Sequence, residues 1–154
     1  MSAEKRIQEL GLVIPPVPKP GGVYKPTVQH GDLLYVSGHV PVLPDGSLVK
    51  GRVNSDADLD AGYQAARQVG LTMLATLRKD LGSLDRIVRV IKLLGLVNSG
   101  PEFYNHPKVI NGCSELFAQV FGDDAGVGTR SAFGVAALPV GVMVEIEALF
   151  EIRS

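Results

Sequence analysis

The chain has 154 residues, 45% of them hydrophobic and 20% charged, with a net charge of −1 and a pI near 6.3. That length argues for one domain with a real core, and the near-neutral field argues against nucleic acid or an anionic membrane as the partner. The single cysteine, Cys113, excludes an intrachain disulfide and a cysteine-based zinc site, and makes a reducing cytoplasm the default compartment.

Residues 1–6 have no apolar stretch behind them and do not read as a signal peptide. No run reaches the length and apolarity of a membrane span. Ser2 can cap a short helix over 3–10, with Gly11 just past its end. Four prolines then fall within 14–20, which forces an extended, irregular course. Residues 1–20 are predicted to be an arm packed on a single domain spanning 21–154.

Residues 23–28 and 33–37 read as a hairpin turning at His30-Gly31, a register that sets Tyr24 opposite Ser37. A short strand is expected near 48–50. Asn54-Ser55-Asp56-Ala57-Asp58 is rich in caps and early carboxylates, and apolar or small residues recur at helical spacing from Leu59 to Leu81 before Gly82. The β-branched run 87–97 predicts a long inner strand. A second helix is expected over 107–121, then a flexible glycine-rich loop over 122–128. Strands over 130–137 and 142–152 close the chain. The order predicts a mixed sheet with two helices on one face, an α+β domain.

In the last strand, Val142, Val144, Ile146, Ala148, Phe150 and Ile152 share a face that belongs under the helices. The other face, with Met143, Glu145, Glu147, Leu149 and Glu151, is neither cleanly polar nor apolar. Such a face suits a partly wet interface, so a homo-oligomer is expected to cover it. In the preceding strand, Arg130 shares its face with Ala132, Gly134 and Ala136. Small side chains beside a charged head leave room for another molecule; an edge arginine under solvent explains the pattern equally well. If the last two strands form a tight hairpin through Pro139-Val140, Arg130 pairs near Leu149, and Glu145 lies roughly 14 Å away along the strand. A small ligand touching both would then need them from different subunits.

Several segments together resemble the RidA family, also called YjgF or endoribonuclease L-PSP proteins. They are Tyr24, Leu34-Tyr35-Val36-Ser37-Gly38-His39-Val40-Pro41, the Ala65-Ala66 helix, Leu81-Gly82-Ser83-Leu84-Asp85-Arg86-Ile87, Arg130-Ser131-Ala132, Leu138-Pro139 and Val144-Glu145-Ile146-Glu147-Ala148. The resemblance implies a chorismate-mutase-like fold and a homotrimer with the sheets facing inward and clefts between subunits. It implies hydrolysis of reactive enamines and imines of the 2-aminoacrylate type to 2-oxo acids and ammonia, without a cofactor. By the same resemblance Arg130 binds the substrate carboxylate and Glu145 handles water and proton transfer. Tyr24, Ser37, Gly38, Asn111 and Ala132 line the pocket. The chain departs from the common pattern at Val23, Lys25, His39 and Ala132, and carries a longer N-terminal arm.

Two other functions compete. One is a module that binds small carboxylates or keto acids without turnover. The other is an endoribonuclease or translation inhibitor; the acidic pI, three histidines and lack of a basic aromatic surface weigh against it. Three scattered histidines do not make a metal site. His30 reads as a hairpin-tip residue, His39 as a possible cleft residue, His106 as structural, and Cys113 as a small buried hydrophobe.

Overall fold

The computed structural model describes residues 2–154. Ser2 caps α1 (Ala3–Glu9) by accepting the Lys5 amide, and Ala3 and Ile7 are buried. The guanidinium of Arg78 grips Glu4 through two hydrogen bonds of 2.6 and 3.2 Å, and the Leu84 amide donates to the same carboxylate at 3.0 Å. A forked, part-buried pair of this kind binds more firmly than an exposed lysine bridge. It fastens α1 to the body, and from there residues 12–26 run without helix or strand, as their prolines dictate.

β1 (Thr27–His30) and β2 (Leu33–His39) form a hairpin, but Thr27 pairs with Val36 and His30 with Leu33. The turn is therefore Gly31-Asp32, one residue later than predicted, with Gly31 at φ 60°. Tyr24 falls outside the ladder and not opposite Ser37. The strand expected near 48–50 reduces to isolated bridges, Val42 with Leu48 and Lys50 with Val142. One 3-10 turn, Asp56–Asp58, capped by Ser55, leads into α2 (Leu59–Leu81), which stops on Gly82 at φ 79°. Glycine tolerates that left-handed cap without strain.

β3 (Ile87–Asn98), α3 (His106–Phe121), β4 (Thr129–Val135) and β5 (Val144–Ile152) follow. The strands lie in the order β1-β2-β5-β3-β4. Only β3 and β4 are parallel. The predicted hairpin between the last two strands does not form, because β3 lies between them. β3 carries apolar residues on both faces and takes a partner on each edge, and α3 is the crossover that its parallel pairing with β4 requires. The 3-10 turn Pro139–Gly141 carries the chain past the end of β3, from Val135 beside Asn98 to Val144 beside Val97.

α2 and α3 cover one face of the sheet, giving the α+β layering predicted. Val69, Met73, Leu74 and Leu77 of α2 meet Ile110, Leu116 and Phe117 of α3 and Ile146 and Phe150 of β5 in one core, all of them fully buried. Each such side chain contributes about 1.5–3 kcal/mol by leaving water. The other sheet face is bare: Val28, Tyr35 and Phe133 are 50, 52 and 46% exposed. Among the described residues no helix is long and apolar enough to cross a membrane.

Candidate functional site

Residues directly paired across strands share a face of the sheet. Leu93 pairs with both Arg130 and Ala148, whereas Leu96 pairs with Glu145. Ala148 is buried beneath the helices, so Arg130 lies on the helix side and Glu145 on the bare side. The two are also offset by three positions of β3, from 93 to 96, or about 10 Å, and flank that strand on opposite edges. One small ligand cannot bridge them within a chain.

Arg130 reaches across to α3. Its Nη1 donates to Asn111 Oδ1 at 2.8 Å and to Ser114 Oγ at 3.0 Å, and its Nη2 to the Pro107 carbonyl at 3.3 Å. These neutral acceptors orient the guanidinium without cancelling its charge. Among the described residues no carboxylate pairs with it; the ion pairs are Lys5–Glu9, Arg78–Glu4 and Arg89–Asp124. Asn111, expected from the resemblance to line the pocket, lies beside Arg130, and Ser114, not named from the sequence, lies there too. The signal was available: Asn111 and Ser114 are three residues apart, on one side of a helix. Ala132 lies two residues further along the same face of β4, packed on the core and paired with Gly95.

Glu145 occupies a separate place, a cavity of ≈ 530 Å³ that also takes in Tyr24, Ser37 and Gly38. Two residues of β2, Ser37 and Gly38, stand opposite the single residue Glu147 of β5, which makes a β-bulge. The bulge brings the Gly38 backbone against Glu145: a Cβ on Gly38 would sit 3.0 Å from Glu145 Oε1. His39 holds the bulge from below. Its Nδ1 lies 2.6 Å from the Ser37 carbonyl and its Nε2 2.8 Å from Thr76 Oγ1, which fits a neutral ring donating from Nδ1 and accepting at Nε2. Burial lowers its pKa from 6.5, against the opposing influence of the Ser37 carbonyl and Asp80.

The polar groups in the cavity divide by role. The Ser37 hydroxyl donates to the Lys25 carbonyl at 2.6 Å, leaving its lone pairs as acceptors. The Tyr24 hydroxyl accepts from the Gly21 amide at 3.0 Å, leaving its proton to give. Glu145 makes no ion pair or hydrogen bond among the described residues, and its pKa is raised from 4.5, first by desolvation and then by the charge of Glu147. A half-buried, unpartnered carboxylate with a raised pKa suits a general base. Glu147 and Lys19 line the same cavity and were not assigned from sequence; Glu147 follows from the period of two along β5.

The remaining candidates have no such setting. Cys113 is fully buried, and burial pushes its thiol up to about 12 despite the opposing charge of Arg130, so it is not a nucleophile. His30 ends β1 at the hairpin turn. His106 opens α3, with its Nε2 3.0 Å from Ser99 Oγ. The β4 backbone at Gly134 packs directly against that pair.

A protein-family model described as YjgF/chorismate mutase-like, putative endoribonuclease, matches residues 4–151. Protein TCP17 of Trypanosoma cruzi is 38% identical over 148 residues, covering 96% of this chain and 92% of that protein. The crystal structure of Atu1372 from Agrobacterium tumefaciens, a protein of unknown function, superposes with a TM-score of 0.87 at 41% identity, over 99% of this chain and 94% of that one. The structure of E. coli TdcF with bound serine superposes at 0.58 and 26% identity, over 92 and 94%.

Proposed function

The chain belongs to the YjgF/chorismate mutase-like family, and from that premise we propose that it is a homotrimer that hydrolyses reactive enamines and imines of 2-amino acids in clefts between its subunits. The observation that carries this reading is the separation of two unneutralised charges, Arg130 on the helix side of the sheet and Glu145 on the bare side. A trimer with its sheets turned inward would bring the Arg130 edge of one subunit to the Glu145 cavity of the next. It would also cover Tyr35 and Phe133.

The substrate carboxylate engages the guanidinium fork of Arg130, which Asn111 and Ser114 hold in place. Once protonation has converted the enamine or imine to its iminium form, Glu145 of the adjoining subunit takes a proton from water as the water oxygen bonds to the iminium carbon and the C=N π pair moves onto nitrogen, giving a neutral carbinolamine. The same carboxyl returns the proton to nitrogen, the C–N bond breaks as the hydroxyl gives its proton back to the Glu145 carboxylate, ammonia leaves and the carbonyl of the 2-oxo acid forms. Tyr24 donates to the developing hydroxyl and Ser37 accepts from water. The serine bound to TdcF supports a carboxylate-bearing amino-acid derivative as the ligand class.

The test is release of pyruvate and ammonia from freshly generated 2-aminoacrylate. The protein should accelerate it, and Arg130→Ala should abolish the gain. Tight binding of 2-oxobutyrate with no acceleration on any amino-acid-derived imine would leave a binding module instead. RNA cleavage that survives repurification and is lost in a point variant would turn the reading to ribonuclease.

A further inference from the structure

In the single chain the Glu145 cavity extends beyond the carboxylate to the N-terminal arm and to the turn before β5. At ≈ 530 Å³ it falls in the range of about 300–1,000 Å³ typical of pockets for drug-sized ligands. Its polar side chains include Lys19 and Tyr24 near the arm. Ser37, Glu145 and Glu147 come from the sheet floor, whereas much of the wall above them is Pro18 and Pro20 of the N-terminal arm, and Pro139 and Val140 of the turn before β5. A substrate whose reacting carbon lies over Glu145 can direct its side chain toward these apolar groups, past Tyr24 and Lys19.

Val140 adds a second, independent observation. It has φ 50° and ψ 19° and is the only non-glycine residue at positive φ among those described. With Gly141 at φ 74° and the Val142 amide donating to the Pro139 carbonyl at 3.2 Å, it forms a two-residue turn that asks for asparagine or glycine at its first position. A β-branched residue is strained there. Burial does not offset the strain, because Val140 is 66% exposed. A strained, exposed hydrophobe at the edge of a cavity is the pattern expected where the strain serves function.

We propose that Val140, with the prolines of the arm, is a specificity determinant that selects imino acids bearing bulky apolar side chains, of the leucine or phenylalanine type, over 2-aminoacrylate. The inference rests on the function proposed above and names its substrate class. The arm contributes because α1 is clamped by Glu4 and Arg78, which holds Pro18 and Pro20 at the cavity without a regular element of their own.

The experiment measures binding of pyruvate and of 4-methyl-2-oxopentanoate to the full chain by calorimetry, for the wild type, Val140→Asn and Pro20→Ser. Wild type should prefer the larger acid by about tenfold or more, the value of a few well-packed methylenes. Val140→Asn should lower that preference several-fold with an equal or higher melting temperature, because asparagine fits the turn; Pro20→Ser should lower it in the same direction. Equal affinity for the two acids in the wild type, or a ratio unchanged in both variants, overturns the inference and leaves the proposed function standing. Dissociation of the assembled protein by Val140→Asn, seen by light scattering, assigns Val140 to a subunit contact and also overturns it. Failure of every 2-oxo acid to bind removes the proposed function and the inference together.

Discussion

Glu145 is kept from its usual acidity by lost hydration and by Glu147, and nothing in its own chain compensates. Its folded-state pKa lies above 4.5, so ionisation costs the native state stability at every pH above that range. Glu145→Gln should therefore unfold at a higher temperature than wild type at pH 7, and the difference should vanish as the pH falls below 4.5, where both folded and unfolded carboxyls are protonated. The same substitution should reduce turnover by about 10²–10⁴-fold, the usual worth of a positioned general base. The acid limb of the wild-type pH–rate profile should lie above pH 4.5. Thermal melts and single-turnover rates across pH check both halves. A variant that is more stable yet inactive separates this carboxylate from the structural acid Glu4, whose removal should cost about 1 kcal/mol through the lost clamp on Arg78.

Two glycines show how the elements divide between shaping the site and holding the core. A methyl on Gly38 would press on the free end of Glu145, which can move, so Gly38→Ala should fold with little loss. It should still lower kcat/KM by about tenfold or more, since small displacements of a catalytic group are costly. A methyl on Gly112 would overlap the Tyr63 carbonyl where α3 lies against α2, a backbone contact that cannot yield. Gly112→Ala should cost about 1–3 kcal/mol or more. Denaturant melts alongside rate measurements distinguish the two. The alternation of Val144 to Ile152 and the helical spacing from Leu59 to Leu81 made β5 and α2 legible in the sequence, because each records its own burial. Strand partnership was not legible. β4 and β5 are near in sequence, and that proximity predicted a hairpin. Only the two-edged burial of β3 decides that it separates them. Tyr24 escaped for a related reason: a turn displaced by one residue moves it out of the ladder, into a loop whose course is set by Gly21 and the arm.

For the molecule as a whole, the closed ring of like subunits proposed above would both cover the face carrying Val28, Tyr35 and Phe133 and bring together the oppositely placed Arg130 and Glu145. Of the predicted site residues, Tyr24, Ser37, Gly38 and Glu145 gather in one cavity and Arg130 and Asn111 across the sheet from it. From the sequence, Arg130 and Glu145 are separated along a hairpin that does not form; that they lie on opposite sides of the sheet was not legible, because residue type does not record which strand lies between them. That division has a genetic consequence. Arg130→Ala and Glu145→Ala chains would each be inactive alone, yet every trimer containing both would have one junction where the intact arginine of one faces the intact glutamate of the other. Refolding the two together in equal amounts should restore roughly a quarter of the wild-type sites, by random assortment in a three-membered ring. A mixture that stays inactive, with mixed trimers demonstrated by mass, would mean that no site is shared between neighbours. With a shared site, two damaged alleles in one cell complement each other only if their lesions fall on opposite sides of β3.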